Sequence, residues 1–201
     1  AFKSFMELNT FAVVSFDPMN RLAQKDDLHA LEEFQIVPNI TLGNGQPVTR
    51  YDCLNEATSA TLKPLAKTIA STYATRKKES GPNAILIEPT IGSVALDTID
   101  GLNQVDWLLL DELNNNAAIL QNGARILKST LLVDVRIPFQ PTHEGQADFT
   151  IINYLLNDYG FRFFRFESTL FKTDLPTDTH LEKKQFSDTL ISNALFIPTD
   201  E

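Results

Sequence analysis

Residues 105–124 read VDWLLLDELNNNAAILQNGA, and this stretch sets the expectation for the fold. The apolar run over 105–110 stops abruptly at Asp111 and Glu112. Such a run, bounded by polar residues, suits a strand buried on both faces, as in a parallel sheet covered by helices. Asn114, Asn115 and Asn116 follow, and a helical pattern then covers 115–128. Asn caps a helix well because its short side-chain oxygen accepts from the free N–H groups of the first turn. In open α/β sheets, ligands sit at the carboxyl ends of strands. Asp111 is therefore expected to face a ligand crevice; the alternative is that it only caps the helix that follows.

Working outward, further strands are read at 130–135 (TLLVDV), 161–166 (FRFFRF) and 194–198 (ALFIP), with a helix at 147–159 between the first two. Toward the N-terminus lie strands at 10–16 (TFAVVSF), 34–42 and 48–54, and shorter ones at 84–88 and 93–96. Helical spacing marks 1–9, 20–33 and 65–79, while 168–189 reads as a polar loop with a short helix. Asn44–Gly45 is a hairpin signal, since both residues tolerate positive φ. Gly43–Asn44–Gly45 is no phosphate loop, because Pro47 and a strand follow instead of a helix. Gly123, inside the helix pattern, costs about 1 kcal/mol relative to Ala and implies close approach to the sheet. Strands alternating with helices predict a mostly parallel α/β sheet covered on both faces, with an antiparallel strand at one edge.

The chain has 201 residues, 43% hydrophobic and 21% charged, which suits one globular domain. A net charge of −9 argues against nucleic acid as a partner, since phosphate binding needs a basic face. No apolar run approaches the roughly 20 residues that span a bilayer, and no signal peptide is visible, so no membrane partner is expected. The single cysteine, Cys53, asks for no oxidising compartment and reads as a small buried apolar residue; the expected location is the cytoplasm. His29, His143 and His180 are isolated, so no metal site is expected.

Several motifs, taken in order, resemble the C-terminal half of FkbM-type methyltransferases. They are Asp100–Gly101–Leu102, the run from Val105 to Asp111, Ile119–Leu120 with Gly123–Ala124, and TLLVDVRIPFQPTHEGQADF. YGFRFFRF resembles the family's next strand; upstream, VVSFDP resembles its V-x-x-F-E-P, with Asp17 in place of Glu, and NEATSATLKP its Ser-rich segment. The resemblance spans roughly residues 10–198. It implies a Rossmann-like class I methyltransferase sheet, S-adenosylmethionine as cofactor, and methylation of a hydroxyl oxygen on a small molecule or glycan. It also implies that Asp17 binds the cofactor ribose; an ionised carboxylate can accept from two adjacent hydroxyls through charge-assisted bonds. The alternative for Asp17 is a strand stop before Pro18.

Within that resemblance, Asp111 and His143 are the candidate catalytic residues flanking the acceptor, His143 as base by its intrinsic pKa. The alternative for His143 is an exposed loop histidine. Asn114, Asn116 and Glu144 are candidate substrate-binding residues; capping or solvation is the alternative for each. The chain departs from the family pattern in three places. The family's Gly-rich strand-to-helix turn is absent before Ala1, the segment after Asp111 reads Glu112–Leu113–Asn114–Asn115–Asn116–Ala117, and His143 replaces a tyrosine. The first departure leads to the expectation that the 201 residues are one methyltransferase-like domain from a longer protein, with the first strand missing, inactive as they stand. The second favours a rival reading, a non-catalytic methyltransferase-like module that binds a sugar or a partner protein.

Overall fold

The computed structural model describes residues 12–22, 33–65, 84–172 and 188–199. The helix expected at 1–9 lies outside the described residues, as do all but Leu65 of the helix at 65–79, most of the helix at 20–33 and most of the 168–189 segment.

β-Branched and aromatic residues build β1 (Val13–Asp17) and β2 (Phe34–Pro38), which pair in parallel from Val13↔Phe34 to Asp17↔Pro38. The single strand expected at 34–42 is broken at Asn39, which takes a φ of 57°. That left-handed conformation is one that Asn tolerates and a strand cannot continue through. The chain resumes as β3 (Ile40–Gly43). The turn at 43–47 carries Gly45 at φ 81° and leads to β4 (Val48–Thr49), yet β3 and β4 do not form the expected hairpin. Both flank β7 (Thr90–Ala95), β3 in parallel and β4 antiparallel. β5 (Asp52–Cys53) and β6 (Ile85–Ile87) form a small antiparallel pair.

The largest sheet contains β8 (Trp107–Leu110), β9 (Leu132–Pro138), β10 (Phe161–Lys172) and β11 (Asp188–Pro198), in the order β10-β11-β9-β8. β8 and β9 are parallel, and the other two pairs are antiparallel. β11 does run antiparallel as expected, but it lies inside the sheet and leaves β10 at the edge. Three helices pack on this sheet: α1 (Asn116–Gln121), α2 (Ala124–Leu127) and α3 (Phe149–Asp158). Leu120, Ile126 and Ile152 from these helices share one core with Leu108, Leu110, Val133, Val135, Ala194 and Phe196. The register Leu108↔Val133↔Phe196 and Leu110↔Val135↔Ala194 puts those strand residues on a single face.

The expected Rossmann-like, mostly parallel sheet with helices on both faces is therefore corrected. Among the described residues, strands make up 42% and helices 19%, in small separate sheets: one parallel pair, β1–β2, and the rest of mixed or antiparallel pairing. The strand β8 is not buried on both faces. Leu108 and Leu110 are buried, while Trp107 and Leu109 are 44% and 58% exposed on the face opposite the helices. The apolar run misleads because Trp and Leu alternate with Leu, so the period-2 pattern of a one-sided strand is hidden. The helix expected at 115–128 is two helices, because Gly123 sits between them as the residue before α2. A Cβ there would lie 2.9 Å from Leu96 Cδ2, so the close approach is to Leu96 and not to a strand.

Candidate functional site

Two acidic strand tips meet at one pocket. Asp17 ends β1, Asp111 follows β8, and both line a cavity of about 170 Å³ together with Phe16, Arg21, Leu113 and Asn114. Asp17 is 5% exposed. Its Oδ1 accepts from the Arg21 N–H at 2.9 Å and its Oδ2 from the Leu22 N–H at 2.6 Å. The carboxylate thus folds the chain back over the tip of β1.

Asp111 is exposed, and its Oδ1 accepts from the Leu113 N–H at 2.8 Å and from Asn114 Nδ2 at 2.9 Å. These bonds shape the turn after β8, and among the described residues Oδ2 accepts no hydrogen bond. Asn114 is fixed on all sides, because its Oδ1 also accepts from Thr41 Oγ1 at 3.1 Å and Thr61 Oγ1 at 2.7 Å. The cap of α1 is Asn115, whose Oδ1 accepts from the Ala118 N–H at 3.1 Å. Asn116 is 4% exposed and does not line the pocket. Its Nδ2 braces the Asp111 carbonyl at 2.6 Å, and its Oδ1 has no partner among the described residues.

His143 lies elsewhere. It is 3% exposed, unlike the exposed loop histidine of the alternative reading, and it is not among the pocket's lining residues, so the structure does not bring it to Asp111 as the catalytic reading expects. Its Nε2 is 3.2 Å from the Thr58 carbonyl oxygen and its Nδ1 is 2.9 Å from Thr142 Oγ1. Burial pushes the imidazole below its usual 6.5, with the Thr58 carbonyl opposing that shift. Glu144 beside it is exposed and is held through its backbone N–H to the Lys63 carbonyl at 2.7 Å. Cys53 is buried, and desolvation raises its thiol above the ordinary value, as expected for a packing residue.

Four residues at or beside the pocket, Arg21, Glu112, Arg136 and Gln146, take roles that the sequence reading does not assign. Arg21 reaches from the tip of β1 to the carbonyl oxygens of Glu56 and Ser59, the latter at 3.3 Å. Glu112 is largely buried; desolvation raises its carboxyl above the usual range, and Arg136 Nε, 3.1 Å away, opposes this. Its carbonyl accepts from Gln146 Nε2 at 2.6 Å. Extending the parallel register Leu110↔Val135 by one step brings Asp111 level with Arg136, and Glu112, the next residue, meets the guanidinium.

Among the described residues, no three His, Cys, Asp or Glu side chains gather to hold a metal ion, and no helix is long and apolar enough to cross a membrane. Set against protein-family models, curated proteins and solved structures, the chain matches none in any of the three comparisons.

Proposed function

We propose that this chain is an S-adenosylmethionine-dependent O-methyltransferase domain of FkbM type, acting in the cytoplasm on a hydroxylated small molecule or glycan. The observation that supports it most is that Asp17 and Asp111, each at the carboxyl end of a strand, line one pocket. The cavity is below the ~300–1,000 Å³ of usual small-molecule pockets, so it suits the ribose portion of the cofactor and not the whole of it. The donor set fits a diol. Asp17 can accept from adjacent ribose hydroxyls with charge assistance, and Asn114 holds the neighbouring wall.

When bound, S-adenosylmethionine supplies an electrophilic methyl group. The chain's own part is positioning and proton handling. The second carboxylate oxygen of Asp111, Oδ2, accepts a hydrogen bond from the acceptor hydroxyl and takes its proton as the oxygen is alkylated. Its other oxygen is held by Leu113 and Asn114, which fixes the carboxylate's direction. His143 takes no proton in this reading, because both of its ring nitrogens are engaged away from the pocket.

Calorimetric titration of the full-length protein with S-adenosylmethionine tests this. Binding is expected, with Asp17→Asn weakening it roughly ten- to hundred-fold, the worth of a hydrogen bond to a charged group. No heat at millimolar cofactor, with saturable heat from a neutral monosaccharide, would favour the second reading, a non-catalytic sugar-binding module. The small volume of the pocket, with room for one sugar-sized ring, is the observation behind that alternative.

A further inference from the structure

The segment from Glu56 to Thr61 is gripped at both ends by the pocket and in its middle by His143. At one end, Arg21 of the pocket donates to the Glu56 and Ser59 carbonyls. At the other, Thr61 bonds the wall residues Leu113 and Asn114: its N–H reaches the Leu113 carbonyl at 3.2 Å and its Oγ1 reaches Asn114 Oδ1 at 2.7 Å. Between them, the Thr58 carbonyl meets His143 Nε2 at 3.2 Å. A carbonyl only accepts, so Nε2 carries the proton and, in the neutral ring, Nδ1 accepts from Thr142 Oγ1 at 2.9 Å.

The histidine's own loop is tied to the same place. Leu65 N–H donates to the Thr142 carbonyl at 2.9 Å, Glu144 N–H to the Lys63 carbonyl at 2.7 Å, and Pro64 and His143 form an isolated bridge. Gln146 accepts from the Thr142 N–H at 2.8 Å and donates to the Glu112 carbonyl next to Asp111. One buried imidazole thus joins two loops that each hold part of the pocket.

We propose that His143 is a positioning residue: as a neutral, Nε2-protonated ring it clasps residues 56–61 to the 140–147 loop, and its protonation releases the walls of the Asp17–Asp111 pocket. Its consequence for ligand binding rests on the proposed function, whereas its test rests on hydrogen bonds alone. A charged ring would be 3% exposed, opposed by burial and, among the described residues, favoured by the Thr58 carbonyl and by no carboxylate. Its new Nδ1–H would also force the Thr142 hydroxyl to turn its proton toward Gln146 Oε1, 3.3 Å away and already accepting.

The ionisable groups around the clasp are Cys53, whose thiol lies 3.7 Å from the same Thr58 carbonyl, then Glu56 and Lys63 on the facing segment, Glu144 on its own loop, and Glu112 through Gln146. Glu112 is raised, so its titration works against that of His143. The sign for His143 follows from its lowered folded value. The clasp's contribution is complete above the usual 6.5 and is lost as pH falls through the lower folded value.

Amide hydrogen exchange at about pH 7.5 and about pH 5.5, either side of the usual imidazole value and expressed as protection factors, reads the release directly. In the wild type, protection of peptides covering 56–61 and 111–116 is expected to fall on acidification, approaching ~tenfold per pH unit, the limit for one proton. His143→Gln stays neutral and can still donate to Thr58, so its protection is expected not to fall on acidification, with any change from Glu112 running the other way. Equal pH dependence in wild type and variant overturns the proposal. If the variant does not fold, nitrogen NMR of the wild-type ring decides. A neutral Nε2–H tautomer titrating below 6.5 supports the clasp. An Nδ1–H tautomer, or a midpoint at or above that value, overturns it. Absence of S-adenosylmethionine binding leaves all these readouts standing and counts against the proposed function alone.

Discussion

The Glu112 carboxylate lies 3.1 Å from Arg136 Nε, where the tip of β8 meets the neighbouring strand β9. The acid side of this pair is 14% exposed and the base side 40%, so the acid bears most of the desolvation. A carboxyl raised in the folded state favours the proton there. Its stabilising share is present below the unfolded value of 4.5 and is lost as pH rises through the higher folded value. Glu112→Gln is therefore expected to leave stability at neutral pH unchanged or higher by about 1 kcal/mol. Urea melts near neutral pH check this, and a loss of more than about 1 kcal/mol would contradict it.

Removing Arg136 instead leaves the acid without its opposing charge. Arg136→Met is expected to lower stability at neutral pH by about 1–3 kcal/mol and to recover part of that in acid, where the carboxyl takes a proton. Melts of the variant at two pH values test the sign. A deficit that grows in acid would show that Arg136 acts through something other than Glu112.

Asn114 ties Thr41 and Thr61 to the turn that carries Asp111. Asn114→Ala leaves two hydroxyls and one carboxylate oxygen without this partner, at an expected cost of about 1–3 kcal/mol. A double-mutant cycle with Thr61→Val should return a coupling of about 1 kcal/mol, and additive losses would mean the bond contributes little.

Gly123→Ala sets two effects against each other. The added methyl lowers the freedom of the unfolded chain, worth about 0.4–1 kcal/mol. It also meets Leu96 Cδ2 at 2.9 Å and the Ile119 carbonyl at 3.3 Å, in a spot where Leu96 is 2% exposed. Overpacking of that kind costs about 1–3 kcal/mol, so a net loss is expected, relieved in a Leu96→Val background. Thermal melts of the four proteins in the cycle decide between them.

Cys53 is expected to resist iodoacetamide in the folded protein near neutral pH and to react fully in urea, because its thiol is buried and raised above the ordinary value. Mass spectrometry of the alkylated chain reads the outcome. Fast labelling of the folded form would mean that the β5 region opens readily.

How much of this is legible in the residues depends on how local the cause is. Strand ends at Asp17 and near Asp111 are readable because an apolar run stops on an acid, and Asn115 is readable as a cap because the reason lies within three residues. The break at Asn39 is not read from the residues, and its positive φ divides what reads as one strand. Pairing is not local. Nothing in Val48–Thr49 tells that it will join β7 instead of β3, and the mostly parallel sheet was expected because partner choice was inferred from element order. His143 reads as a loop residue because QPTHEGQ is polar, yet its burial comes from Thr58, far away in sequence. Arg21 is invisible for the same reason, since the carbonyls it serves are on another turn.

Trp107 is the chain's one tryptophan, and it stands on the side of the largest sheet away from α1, α2 and α3. With its indole 44% exposed, the folded protein should already emit toward the red, leaving little further shift for unfolding to produce. Steady-state emission is therefore a poor thermometer for this fold. The interlocked rings of Phe149, Phe163, Phe166 and Phe196 make near-ultraviolet dichroism the better optical witness of the core.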